Sequence, residues 1–205
     1  MTKDITIEVL TAQKAKDVAK LHIQGINTGF ISSLGINFVA ALYEAIALSK
    51  DSFAFVAQEN DSVLGFVAFT TNLNKLYKSI ILKKGLRFAF LLVGKMFSLR
   101  RIKKVFETLF YPSRIKKMNL PDAELLSIVI APKESGKGLA TTLTQKGFAE
   151  CARREIEKVK VLVGADNKPA NKLYLKCGFE LVGQIDSHGV LSNIYVAQTN
   201  SVRAK

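Results

Sequence analysis

The stretch LSIVIAPKESGKGLATTL (126–143) constrains this chain more than any other. An apolar run breaks at Ala131-Pro132 and turns through Gly136 and Gly138, which flank Lys137. It then resumes with helical spacing. A strand with no polar face is buried on both sides, so the segment beginning at AELLSIVI (123–130) belongs at the centre of a sheet. The turn must deliver the chain from that strand straight into a helix of about 138–154. Any acceptable fold therefore contains a strand–turn–helix unit at its middle.

The rest of the chain arranges itself around this unit. DITIEVL (4–10) alternates in the manner of a strand. Thr11 can cap the helix that follows, whose inner stripe is Ala15, Val18, Ala19 and Leu21. GINTGFISSLG (25–35) reads as a loop, and a second helix at about 36–49 carries Phe38, Val39, Leu42, Tyr43 and Ile46 at helical spacing. FAFVAQE (53–59) and VLGFVAFTT (63–71) form a hairpin about NDS. VKVLVG (159–164) is a strand, and NKPANKLYLKCG (167–178) is a short helix with Pro169 in its first turn and Gly178 at its stop. FELVGQID (179–186) and VLSNIYVAQ (190–198) close the chain as a hairpin. Hairpins at both ends argue against an all-parallel doubly wound sheet. The pattern predicts a mixed α/β sheet in one domain spanning 1–205.

Composition narrows the class. Nearly half of the 205 residues are apolar and 23% are charged, a globular balance. No apolar stretch approaches the ~20 residues that span a bilayer. Cys151 and Cys177 form neither a disulfide framework nor a zinc pattern, so they read as reduced thiols in a cytoplasmic protein, and the N-terminus lacks a signal-peptide core. No metal is expected. The net charge of +13 is concentrated: residues 73–118 hold thirteen Lys or Arg against the single acid Glu107, a net of +12. That segment looks like a helical insertion of two or three short helices, broken near Gly85 and before Pro112.

A helix N-terminus carries unpaired N–H groups and partial positive charge, and glycines let several such groups converge on one anion. Phosphate is the natural ligand. The spacing is not that of a Walker loop, nor of the dinucleotide fingerprint, whose third glycine is missing. Two stretches together resemble the GCN5-related N-acetyltransferase (GNAT) superfamily. Residues 126–143 are similar to its coenzyme-diphosphate motif, and NKPANKLYLKCGFELVG (167–183) to the motif that follows, with Ala170, Leu173, Tyr174, Lys176, Gly178 and Phe179 at the diagnostic positions. Lys133 and Ser135 stand where Gln or Arg is usual; lysine supplies charge but no planar bidentate grip.

The resemblance implies a mostly antiparallel sheet of six to seven strands with flanking helices and a central strand–turn–helix cofactor site. It implies acetyl-coenzyme A as co-substrate and direct transfer of the acetyl group to an amine in a ternary complex. The implied coenzyme contacts are the main chain of Ile128, Val129 and Ile130, the turn and helix start formed by Lys133, Glu134, Ser135, Gly136, Lys137, Gly138, Leu139 and Ala140, and Asn167, Asn171 and Tyr174. Tyr174 corresponds to the residue that often protonates the departing thiolate; as a residue alone it is also an ordinary half-buried aromatic. Asn167 can equally be a helix cap.

An attacking amine must be neutral, so a base is required. Glu124, at the entrance of the central strand, is the candidate, on the same face as Leu126, Ile128 and Ile130 by the two-residue period; the competing reading is a plain strand-end carboxylate. His22 and His188 are rival bases, and Ser127 and Tyr195 are further polar groups that could face the substrate. Cys177 lacks a neighbouring histidine, which disfavours a covalent route. The insertion mixes cations with leucine, isoleucine and phenylalanine. That suits a solvated helical cover, a contact with an anionic membrane at the inner face, an acyl carrier protein, or an anionic acceptor such as an amino sugar linked to a nucleotide. Nucleic acid is disfavoured because no base-reading motif accompanies the charge. A homodimer is compatible with the sequence. The rival to an enzyme is a non-catalytic coenzyme- or lipid-binding module of the same fold.

Overall fold

The computed structural model describes residues 5–27, 29–93, 118–187 and 190–200. Its frame is a seven-stranded sheet: β1 (Thr6–Val9), β2 (Ser52–Glu59), β3 (Ser62–Thr70), β4 (Glu124–Ile130), β5 (Lys158–Gly164), β6 (Glu180–Ser187) and β7 (Val190–Gln198). The spatial order is β1-β2-β3-β4-β5-β7-β6, with β4–β5 parallel and every other pair antiparallel. The apolar strand 124–130 is central, as its lack of a polar face requires.

Side-chain alternation divides the core in two. Phe53, Phe55, Val67, Phe69 and Leu125 face one way, beneath α5 (Leu139–Arg153) and α6 (Lys168–Lys176), where they meet Leu143, Phe148 and Tyr174. Ala54, Val56, Phe66 and Ala68 face the other way, beneath α1 (Ala15–Gly25), α3 (Ile36–Leu48) and α4 (Leu73–Val93). The stripe predicted for the first helix is buried as expected, and His22 joins it.

Four local expectations are corrected. The stretch 25–35 contains a one-turn helix, α2 (Phe30–Ser33), whose Ser32 hydroxyl donates to the Ile26 carbonyl. Thr11 precedes a short 3-10 turn (Ala12–Lys14) and makes no side-chain cap. The helix through the basic region does not break at Gly85 but runs unbroken for 21 residues. One glycine costs only about 1 kcal/mol in a helix, and α4 is docked onto α3 by Lys84 and Arg87, which reach Glu44 at 2.6 and 2.8 Å. The expected break before Pro112 lies outside the described residues. The fourth correction concerns the face of Glu124. β3 and β4 slip register between Ala68 and Phe69, which leaves Leu126 without a partner and resets the alternation. Leu126 and Val129 consequently pack toward α1 and α3, while Ile128 and Ile130 pack toward α5.

Candidate active site

β4 and β5 are joined only at their start. Glu124 is paired with Lys160, the Lys160 N–H donates to the Ala123 carbonyl at 3.0 Å, and no further register pair follows. Ala131 N–H donates to Leu64 on the β3 side. By the alternation of an antiparallel ladder, the N–H groups of Ile128 and Ile130 therefore point the other way, into the widening gap beside β5. This splay opens at the end of β4 where the glycine turn begins.

Gly136 and Gly138 have φ of +79° and +85°, the left-handed region in which a Cβ is strained. A Cβ on either would meet nothing within 4 Å, so the space above the turn is free. Gly138 caps α5 with no side chain, and the first helical bond runs from Thr142 N–H to its carbonyl. The N–H groups at the start of α5 thus lack helical partners and lie beside that free space. Lys133 is exposed; Glu134 is buried under the turn, and Lys137 reaches its Oε2 at 3.1 Å. Ser135 is exposed, Ala140 half-buried and Leu139 turned inward. The arrangement fits a diphosphate held by main-chain donors.

α6 borders the splay on the same side. Asn167 caps it, accepting from Ala170 N–H at 3.2 Å. Asn171 ties α6 to β5 and β7: its amide donates to the carbonyls of Gly164 and Asn167, and its Oδ1 accepts from Tyr195 and Asn193 at 2.8 and 2.7 Å. Tyr195 accordingly lies with α6 and not with Ser127. Tyr174 is buried edge-on to Phe179 and beside Tyr195, and burial pushes its phenol far above the ordinary range. It holds its proton at any working pH. Burial also raises the Cys177 thiol, so this sulfur is no ready thiolate.

The opposite face of β4 is built differently. A cavity of about 440 Å³ lies between α3, α4 and the sheet, and its wall includes His22, Tyr43, Tyr77, Glu124 and Ser127. His22 Nδ1 is 2.7 Å from the Tyr43 hydroxyl, which is 2.8 Å from Ser127 Oγ. Among the described residues, two buried side-chain polar atoms have no hydrogen-bond partner: His22 Nε2 and Glu124 Oε2. Both residues open on this one cavity. Buried polar atoms without hydrogen bonds are costly, and both of these belong to residues on the wall of one cavity, which marks it as a candidate ligand site.

Burial raises Glu124 to about 7, against the opposing pull of the Lys160 ammonium, which stands 3.6 Å from Oε2. Burial lowers Lys160 itself, although its Nζ is held by the carbonyls of Pro121 and Asp122. His22 is lowered to about 4 by burial, so its ring is neutral at pH 7. Glu124 and Ser127 were both singled out in the sequence, whereas Tyr43 and Tyr77 read only as core aromatics. His188 lies outside the described residues.

Residues 29–179 match the Acetyltransferase (GNAT) family. The chain belongs to that family. Two mycothiol acetyltransferases share short stretches with it: the protein of Saccharomonospora viridis is 37% identical over 62 residues, and that of Catenulispora acidiphila 39% over 59. Those stretches are 30% and 29% of this chain but only 20% and 19% of the relatives, so the chain matches about a fifth of their length. Solved GNAT structures share its fold over nearly its whole length. Arabidopsis thaliana NAA60 in complex with acetyl-CoA aligns with a TM-score of 0.61 at 15% identity, over 96% of this chain and 99% of that one. Salmonella typhimurium yncA with its cofactor acetyl-CoA aligns equally well, over 96% and 95%. The ribosomal-protein-S18-alanine N-acetyltransferase of Escherichia coli gives 0.59 at 13%, over 95% and 94%.

Proposed function

We propose that this GNAT acetyltransferase moves an acetyl group from acetyl-coenzyme A to an amine by direct transfer within a ternary complex. One arrangement carries the reading: β4 leads into a main-chain anion cradle where it splays from β5 and, on its other face, walls a cavity with the buried carboxylate of Glu124. The two halves of the reaction have opposite needs. A diphosphate is met by fixed N–H donors, here those around Gly136 and Gly138. An amine is met by a base, and Glu124, poised near neutrality, can take its proton.

The N–H groups of Ile128 and Ile130 would orient the pantetheine arm and polarise the thioester carbonyl. As the N–C bond forms, the C–S bond breaks and Glu124 takes the proton lost from nitrogen. Tyr174, whose phenol stays protonated, would give its proton to the leaving thiolate, and solvent would return the proton balance. Asn167 and Asn171 would hold α6, and therefore Tyr174, against the splay. Ser127 and Tyr43 would keep the neutral His22 ring oriented, with Nε2 available to a substrate atom. Thiol release from acetyl-coenzyme A with a panel of amines tests the reading. Amine-dependent release that is lost in Glu124→Gln supports it; release indifferent to every amine contradicts it.

A further inference from the structure

The cavity says what kind of amine belongs in it. Among the described residues, its five polar side chains come from α1, α3, α4 and β4. Every other described side chain on its wall is aliphatic or phenylalanine, for example Leu42 and Ile46 of α3, Leu76, Ile80 and Phe88 of α4, and Leu126 of β4. Its α4 wall runs from Leu73 to Leu92, about 28 Å along the helix axis. It is therefore elongated. Ile81 lies on the wall and is 55% exposed, so the cavity reaches solvent.

We infer that the acceptor is a primary monoamine carrying one apolar chain, its nitrogen at Glu124 and its chain between α3 and α4. The inference rests on the transferase reading and narrows it. An acyl chain on the donor would need no base, yet Glu124 and His22, whose Oε2 and Nε2 make no hydrogen bond, stand on this wall. A nitrogen head supplies what they lack. A polyamine would bury a second ammonium among leucines, and an amino sugar would bury hydroxyls without partners; both are penalised. The cations of α4 do not alter this: none of Lys75, Lys78, Lys83, Lys84 and Arg87 is on the cavity wall, and Lys84 and Arg87 are turned to Glu44.

Gly85 provides a test that spares the fold. It lies on the cavity wall, eight residues past Tyr77 and so about 12 Å along α4. A Cβ there meets nothing within 4 Å, and removing a mid-helix glycine favours the helix. Calorimetry with n-butylamine through n-decylamine on the full chain, with coenzyme A present, should show affinity rising about three- to fourfold per methylene. Gly85→Leu should weaken n-decylamine at least tenfold and leave n-butylamine within threefold. Spermidine and glucosamine should give no comparable heat. A flat chain-length series, or a series unchanged by Gly85→Leu, would overturn the inference. Thiol release is read separately: turnover with hydrophilic amines alone would sink the inference and keep the transferase. Saturable, Gly85-sensitive binding of n-decylamine without turnover of any amine would keep the apolar pocket and sink the transferase.

Discussion

The two faces of the central strand are built by different means. On the α5–α6 face, the anion cradle is made of main-chain groups and two glycines within three residues. On the α1–α3–α4 face, the cavity is made of side chains that are far apart in sequence: His22, Tyr43, Tyr77, Glu124 and Ser127. A site made by backbone needs particular residues only where the chain must curl, and it leaves a contiguous motif. A site made by side chains from four elements leaves no local trace. The first face is suited to a partner shared by many enzymes, the second to a partner peculiar to one.

The comparison can be broken at either face. The largest effect is expected at Glu124. Glu124→Gln should lower kcat/KM by about 10²- to 10⁴-fold with coenzyme affinity unchanged. In the parent protein kcat/KM should rise with pH through about 7 and then level, because only the carboxylate accepts a proton. The groups around it are Lys160 of β5, Tyr77 of α4 and, on the same cavity, His22 and Tyr43. The variant should lose that limb, and an unchanged pH–rate profile would remove Glu124 from the chemistry.

Across the splay, Gly136→Asp should weaken coenzyme binding at least a hundredfold, since it adds a carboxylate and a strained left-handed residue to the cradle. Gly136→Ala has open room and should cost only about 1–2 kcal/mol in backbone strain. Equal effects of the two, measured by titration with coenzyme A, would mean that charge at the turn is irrelevant. Tyr174→Phe should lower kcat about tenfold or more while coenzyme affinity stays within threefold. Unaltered kcat would leave the phenol as packing.

Smaller effects sharpen the account of the cavity. Tyr43→Phe removes the partner of both His22 Nδ1 and Ser127 Oγ. It should destabilise the fold by about 1–3 kcal/mol in urea melts. His22 makes a pH-dependent contribution to stability rather than to rate. Its folded value of about 4 lies below the ordinary 6.5. The unfolded chain therefore binds the proton first, and the stability held above 6.5 is lost as pH falls through 4. His22→Gln should flatten this acid limb of the melting temperature; an unchanged limb would place the acid sensitivity elsewhere.

Sequence and structure agree most where the chain speaks locally. All seven strands follow from alternation or apolar runs, and the starts of α5 and α6 follow from Gly138 and from Asn167-Lys168-Pro169. Glu124 and Ser127 were legible as polar residues in an apolar strand. Their shared orientation was not, because the bulge at Leu126 is a property of the β3–β4 pairing and not of either strand alone. Tyr43 fitted the helical stripe of α3 so well that its hydroxyl drew no notice, and its partner Ser127 is 84 residues away. Gly85 looked like a break because propensity is local, whereas the ion pairs that secure α4 to α3 span some forty residues.

The central claim is that donor and acceptor meet through the β4–β5 splay from opposite faces of the sheet. A crystal structure with coenzyme A and n-decylamine bound tests it most directly. The account predicts the diphosphate on the N–H groups around Gly136 and Gly138, the amine nitrogen within hydrogen-bond reach of Glu124, and the alkyl chain between α3 and α4. Coenzyme held away from the glycine turn, or an amine lying on the α5–α6 face, would contradict it.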